Sequence, residues 1–153
     1  MQSNTAEREL VVSRTISAPR ELVFAAWTDP HHIDAWWGPN GFTTTTSSRD
    51  VRVGGSWVYM MHGPDGTAYP NVITYTEIHA PERICYDHGD DKNPCVFTVT
   101  ATFEALGDKT TLTLRTLCAS VQQLQELTKF GAVEGGQQTL ARLDHFLTTG
   151  PST

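Results

Sequence analysis

The stretch VFTVTATFEA, residues 96–105, decides the fold class because its side chains alternate between two chemical types. Phe97, Val99 and Phe103 are apolar, and the positions between them carry threonine. Successive side chains of a strand point to opposite faces, so this segment buries one face and exposes the other to water. Such alternation is typical of an antiparallel sheet that is covered on one side only.

The same period of two extends to both sides of this stretch. A segment near the start, residues 9–18, is rich in β-branched side chains and is predicted as a strand. Turn-forming glycine, proline and aspartate residues divide the later chain into six more strands, namely residues 43–51, 56–62, 69–79, 82–89, 96–105 and 109–119. These patterns predict a seven-stranded antiparallel sheet.

Helical patterns lie between the first two strands and after the last one. Residues 20–28, between two prolines, predict a short helix, and residues 31–37 predict a second, shorter one. Apolar residues recur at helical spacing from Val121 to Leu147, and Ser120 is placed to cap them. The pattern predicts one long C-terminal helix.

The large apolar face of such a sheet needs a cover, and the C-terminal helix can provide it. We therefore predict an α+β fold in which a strongly curved sheet wraps around that helix and encloses space. Gly131, Gly135 and Gly136 interrupt the helix. Side chains missing from its inner face would leave part of the space unfilled, where interiors are normally close-packed.

Length and composition restrict the class of protein. The 153 residues fit a single domain, with an ordered core expected over about residues 9–147. A net charge of -6 with scattered basic residues excludes a nucleic-acid partner, and no apolar run is long enough to cross a membrane. The polar start lacks the apolar core of a signal peptide, and Cys85, Cys95 and Cys118 lack disulfide spacing. We expect free thiols and a cytoplasmic protein.

The segment SWVYMMH, residues 56–62, carries the functional prediction. If Trp57, Tyr59 and Met61 face inward, an indole, a phenol and a thioether form one wall of a mostly apolar site. The opposite parity turns Val58 and Met60 inward and buries less aromatic area, so we favour the first. Plain core packing is the alternative interpretation. The full predicted lining is Trp57, Tyr59, Met61, Tyr75, Phe97, Val99, Phe103 and Leu114 on the sheet, and Leu127, Gly131 and Gly135 on the helix.

The loop WWGPNGF, residues 36–42, gathers aromatic surface at a turn. Pro39 and Gly41 fold the chain back, so that the aromatic rings can close one end of the curved sheet as a hydrophobic plug. Part of the same loop, with Trp37 and Phe42, could form the mouth of the cavity. One tryptophan would then anchor the loop while the other admits a ligand, and the sequence leaves open which is which.

Glu77 is the one catalytic candidate. It lies two residues from Tyr75, so the two side chains are expected on one face. A carboxyl group turned into an apolar cavity has a raised pKa and can act as an acid or base, whereas an outward one is a solvated surface group. No catalytic motif, cofactor-binding motif or metal-ligand spacing among the histidines occurs, so binding is favoured over catalysis.

Several stretches together resemble a known family. They are ISAPRELVFAAWTDP, WWGPNGF, DVRVGGSWVYMMHGPDG, EIHAPERICY and TLARLDHFL, which run from about Glu9 to Leu147. The chain resembles the bacterial branch of the family named for the activator of the ninety-kilodalton heat-shock protein's ATPase. That family belongs to the START-like, Bet v allergen-like (SRPBCC) superfamily. At Gly136-Gln137 the chain departs from the Gly-Trp pair that many relatives carry.

The resemblance implies a helix-grip fold, in which a curved sheet surrounds a C-terminal helix with a cavity between them. It implies binding of a small hydrophobic molecule, because members of the superfamily hold such ligands. It also implies two alternatives, namely a chaperone-interacting module and a cavity enzyme of the polyketide cyclase or hydrolase kind. A homodimer is an expectation from the family alone.

Overall fold

The computed structural model describes residues 5–29, 32–90, 92–93, 96–129 and 131–149. Seven strands form one antiparallel sheet: β1 (Glu9–Ile16), β2 (Thr43–Arg49), β3 (Ser56–His62), β4 (Ala68–His79), β5 (Arg83–Gly89), β6 (Phe97–Leu106) and β7 (Lys109–Leu117). The number of strands and their places in the chain are as the alternation predicts, to within a few residues at each end.

The sheet has the order β1-β7-β6-β5-β4-β3-β2. Strands β2 to β7 follow one another as a meander, and β1 adds to the free side of β7. The first two strands are therefore at opposite edges, and the chain between them must cross the sheet. Helices α1 (Arg20–Thr28) and α2 (Ile33–Trp36) make that crossing, with α1 against β6 and β7 and α2 against β2.

The C-terminal helical region differs from the prediction of one long helix. It consists of α3 (Val121–Lys129) and α4 (Ala132–Thr149). Gly131 lies between them with φ of +82°, a left-handed conformation that glycine adopts at little cost and that ends a helix. Ser120 caps α3 as predicted, since its Oγ accepts a hydrogen bond from the Gln123 backbone N–H at 3.1 Å. The predicted helical residue Phe130 lies outside the described residues.

Helix α4 packs against β1, and Gly136 lies close to Val12 of that strand. A Cβ atom at Gly136 would lie 3.0 Å from Cγ2 of Val12, so a side chain there would collide with the sheet. One turn further along, Leu140 and Leu143 are fully buried against the sheet. Asp144 then accepts hydrogen bonds from the Arg14 side chain and the Ser17 backbone. Gly136 thus serves close packing as well as the open space that the sequence suggested.

The described residues contain no helix that is long and apolar enough to span a membrane. Cys85 and Cys118 are buried free thiols, as predicted. The third cysteine, Cys95, lies outside the described residues.

Candidate ligand cavity

A cavity of about 230 Å³ lies between the sheet and the helical cover. Among the described residues, none of the lining side chains is an aspartate, glutamate, lysine or arginine. The sheet contributes Leu10, Val12, Tyr59, Met61, Tyr86, His88, Phe97, Val99, Leu114 and Thr116; the loop after α2 contributes Trp37, Gly38 and Pro39; the helices contribute Leu127, Ala132, Gly136 and Thr139.

The structure brings part of the predicted lining together at this cavity. The parity expected for β3 is present, since Trp57 and Tyr59 are buried while Val58 is only half-buried. The predicted residues that line the cavity are Trp37, Tyr59, Met61, Phe97, Val99, Leu114 and Leu127. Apart from Trp37, which belongs to the loop after α2, these residues were predicted from the period of two along strands and from helical spacing.

The remaining predicted residues lie outside the cavity. Trp57 and Tyr75 border a separate void of only about 10 Å³. The Tyr75 hydroxyl oxygen accepts hydrogen bonds from the Arg49 guanidinium group. Phe103 packs between Phe24 and Trp27 in the core, with ring centroids 5.2 and 5.8 Å apart.

Three further predicted residues do not line the cavity either. Phe42 packs against Tyr69 with a centroid distance of 6.2 Å. Gly131 separates α3 from α4, and Gly135 faces Pro39. Gln137, where many relatives carry tryptophan, is exposed and does not reach the cavity. Alternation identifies the face of a strand but not how far along it the cavity extends.

Sequence reasoning missed Tyr86 and His88, which carry most of the polar character of the site. Both alternate with Ile84 on β5, so they share its buried face. The alternation of Ile84, Tyr86 and His88 is the sequence signal that identifies them. It also missed the other lining residues, namely Leu10, Val12, Gly38, Pro39, Thr116, Ala132, Gly136 and Thr139.

The adjacent tryptophans of the loop have different roles. Trp36 is fully buried, and its Nε1–H donates to the backbone carbonyl of Ala26 at 3.2 Å. Trp37 lines the cavity, and its Nε1–H donates to the Tyr59 hydroxyl at 3.1 Å. Trp36 is therefore the anchor, and Trp37 is the wall that a bound molecule would touch.

Helix α4 holds this loop in place through one guanidinium group. Arg142 Nη1 donates to the carbonyl oxygens of Gly38, Pro39 and Phe42 at 2.7, 3.0 and 3.2 Å. Partial burial lowers the pKa of Arg142. The loop is thereby tied to the helix beside the cavity, whose lining includes Gly38 and Pro39.

A chain of hydrogen bonds crosses the polar end of the cavity. The Tyr59 hydroxyl lies 3.5 Å from His88 Nε2, which is 2.9 Å from Asn71 Oδ1. Burial lowers the pKa of His88 to about 4, with Asp90 acting in the opposite direction. Burial also raises the pKa values of Tyr59 and Tyr86 far above their usual range. At neutral pH the side chains of Tyr59, Tyr86 and His88 are therefore uncharged.

The prediction that Tyr75 and Glu77 lie on one face of β4 is wrong. A β-bulge interrupts the pairing of β4 with β5, so that Tyr75 is opposite Tyr86 while Glu77 is opposite Cys85. The extra residue reverses the parity and places Glu77 on the face away from the cavity. The hydrogen bond from the Cys85 thiol is the main cause that lowers the pKa of Glu77, and Arg83 and His79 add to it. Glu77 is thus an ionised surface group, which rules it out as an acid or base in the cavity.

These features define the class of protein: a helix-grip α+β fold with a seven-stranded curved sheet and a cavity under its C-terminal helices. Residues 17–148 match the family described as Activator of Hsp90 ATPase homolog 1-like protein, and the chain belongs to this family. No protein of curated function matches it in sequence.

Solved structures of similar proteins agree with this assignment. The crystal structure of protein Ms6760 from Mycobacterium smegmatis is 27% identical, with a TM-score of 0.86 over 97% of this chain and 96% of that one. A solution structure from Arthrobacter aurescens is 26% identical, with a TM-score of 0.87 over 99% and 92% of the two chains. The AHSA1 protein from Silicibacter pomeroyi is 22% identical, with a TM-score of 0.74 over 92% and 98%, and shows the same fold.

Proposed function

We propose that this protein binds a small hydrophobic or aromatic molecule in the cavity between its sheet and C-terminal helices. The observation that carries the proposal is the lining, which joins aliphatic and aromatic side chains to a few polar groups and has no charged side chain within the described part of the chain. Such a combination is typical of small-molecule sites. Burial of the ligand's apolar surface would provide most of the binding free energy.

The volume limits the size of the ligand. An apolar cavity of about 150 Å³ engineered in another protein holds benzene, and sites for drug-sized molecules begin near 300 Å³. The cavity of about 230 Å³ lies between these values. A molecule of one or two rings fits this space, whereas a long-chain lipid would require the cavity to enlarge.

Native mass spectrometry of the purified protein tests the proposal directly. We expect a mass above that of the bare chain, which organic solvent removes. The complementary test is a thermal-shift measurement with indane, a two-ring hydrocarbon. At a hundredfold excess over Kd, indane should raise the melting temperature by about 5–10 °C, because a ligand of the folded state stabilises it.

A cavity-filling variant provides the control. Leu114 lines the cavity, so Leu114→Trp should abolish the indane shift by occupying the space. Leu106 is exposed near the end of β6, and Leu106→Trp adds the same bulk outside the cavity. That variant should retain the shift. A bare chain in the mass spectrum, together with no indane shift in the wild type, would refute the proposal.

The family's name favours a second class of function, a chaperone-interacting module. In that case the outer surface of the fold matters and the cavity is incidental. Leu114→Trp separates the two, because filling the interior should leave capture of a chaperone intact. A wild type that captures a chaperone of the ninety-kilodalton class but binds no apolar probe would support this alternative.

A further inference from the structure

The polar groups at one end of the cavity restrict the chemistry of the ligand, and this inference rests on the proposed binding function. Asn71 Nδ2 donates to the Tyr69 carbonyl at 2.9 Å, and a carbonyl oxygen can only accept. The amide oxygen of Asn71 therefore faces His88. His88 Nε2 must carry a proton to make this 2.9 Å contact, and it is the donor of that hydrogen bond.

The direction of the chain determines what the Tyr59 hydroxyl can still do. Its oxygen already accepts from Trp37 Nε1–H at 3.1 Å. The nearest other group is His88 Nε2 at 3.5 Å, which is itself protonated and cannot accept. Among the residues that the structure describes, the hydroxyl hydrogen of Tyr59 has no acceptor, so it is available to a molecule in the cavity.

Tyr86 supplies a second donor at the same wall. Its side chain is 3% exposed, lines the cavity and lies beside His88, with ring centroids 6.4 Å apart. Its hydroxyl forms no hydrogen bond within the part of the chain that the structure describes. The Tyr86 oxygen does not belong to the fully enclosed polar atoms that lack a partner, so its hydroxyl is accessible and can donate a hydrogen bond to a ligand acceptor.

We propose that the ligand is a neutral one- or two-ring aromatic molecule with an oxygen acceptor, such as a ketone, which accepts hydrogen bonds from the hydroxyls of Tyr59 and Tyr86. The absence of charge from the lining disfavours ions of both signs, because a buried ion needs a partner of opposite charge. Carboxylates and ammonium compounds of the same size should therefore bind more weakly than a neutral ketone.

Four probes with the same carbon frame test this selectivity: indane, 1-indanone, 1-aminoindane and indane-1-carboxylate. Calorimetry at neutral pH should give 1-indanone a Kd about a hundredfold lower than indane, because each of the two hydrogen bonds contributes about a factor of ten. The ammonium and carboxylate probes should bind at least about tenfold more weakly than 1-indanone. This series requires no mutation, so it does not depend on whether a variant folds.

The variant Tyr86→Phe assigns the donor. It should raise the Kd for 1-indanone about tenfold and leave that for indane unchanged. Tyr69→Phe is the matched control, because Tyr69 is exposed and does not line the cavity. It should leave both values unchanged.

The possible failures are distinguishable. Equal affinity of the wild type for indane and 1-indanone, or tightest binding by the carboxylate, would overturn the inference and leave the binding function standing. An unchanged Kd for 1-indanone in folded Tyr86→Phe would also overturn it. If none of the four probes binds, the proposed function fails as well.

Discussion

The inner face of the sheet is closely packed at one end and borders a cavity at the other. At one end Phe103 packs against α1, with Phe24 and Trp27 meeting it edge to face. At the other end Tyr86 and Phe97 face a cavity under α3 and the start of α4. Both ends derive from the same alternating strands. The difference is in the cover, because α1 and α2 insert large aromatic side chains while the other cover presents Leu127, Ala132 and Gly136.

This contrast teaches that the cavity is a property of the covering segments rather than of the sheet. A ring on the sheet is part of the packed core where the cover fills the space above it, and it lines the cavity where the cover leaves that space open. Leu112 and Leu114 show this on a single strand, since they share one face of β7 two residues apart. Leu112 is fully buried, whereas Leu114 is partly buried and lines the cavity.

The sharpest test of the contrast truncates these two leucines. Leu112→Ala should lower the free energy of unfolding by about 3–5 kcal/mol, because it creates a new cavity in a packed region. Leu114→Ala should cost only about 1–2 kcal/mol, because its side chain already borders open space and loses fewer contacts. Urea unfolding of both variants measures the difference. Equal losses would mean that the two ends are packed alike.

A second test concerns the uncharged polar end. The pKa of His88 is lowered to about 4 in the folded state, below its unfolded value near 6.5, so the unfolded chain binds more protons between these values. Stability contributed by neutral His88 is therefore complete above about pH 6.5 and is lost as the pH falls towards 4. The full decrease in the free energy of unfolding is about 3 kcal/mol.

The variant His88→Gln isolates this effect. It keeps a donor for Asn71 but does not titrate, so its stability should fall less than that of the wild type between pH 7 and pH 4.5. His62→Gln is the control. The His62 ring lies near the surface, where it forms a hydrogen bond with the Thr45 hydroxyl. Parallel pH dependence of the wild type and His88→Gln would show that His88 does not lie in an environment that excludes charge.

The smallest expected effect compares two neighbouring glycines of α4. Gly136→Ala places a Cβ atom 3.0 Å from Val12 and should cost about 1 kcal/mol through crowding against β1. Gly135→Ala meets only Pro39 at 3.8 Å, an ordinary contact, and should stabilise the helix by up to about 1 kcal/mol. The melting temperature should therefore fall in Gly136→Ala and rise in Gly135→Ala. A stabilised Gly136→Ala would show that the helix can move away from the sheet.

Much of the fold was predictable because strands and short helices are local patterns. The six strands of the meander and helix α1 follow directly from side-chain period and from turn residues. The end of α3 was harder to predict, since a glycine at Gly131 is compatible with a continuous helix until its φ of +82° is known. Sequence period alone does not distinguish a tolerated glycine from a helix end.

The candidate site was predictable only in part, for the same reason. Inward parity identified Tyr59, Met61 and Val99, but it extended equally to Trp57 and Phe103, which the chain uses as core. The failure at Glu77 has a different cause. A single extra residue in β4 moves every following side chain to the opposite face of the sheet. The local sequence TYTEIH contains no signal that predicts this bulge.

By itself the sequence determined which side of each strand is apolar, where the turns fall and that one end of the molecule is rich in tryptophan. These are consequences of local side-chain spacing. Only the tertiary structure decided that Trp36 anchors while Trp37 lines the cavity, and that Tyr86 and His88 meet Tyr59 across three strands. Those relations depend on sheet order, curvature and the approach of α4 to β1, which residues distant in the chain set jointly.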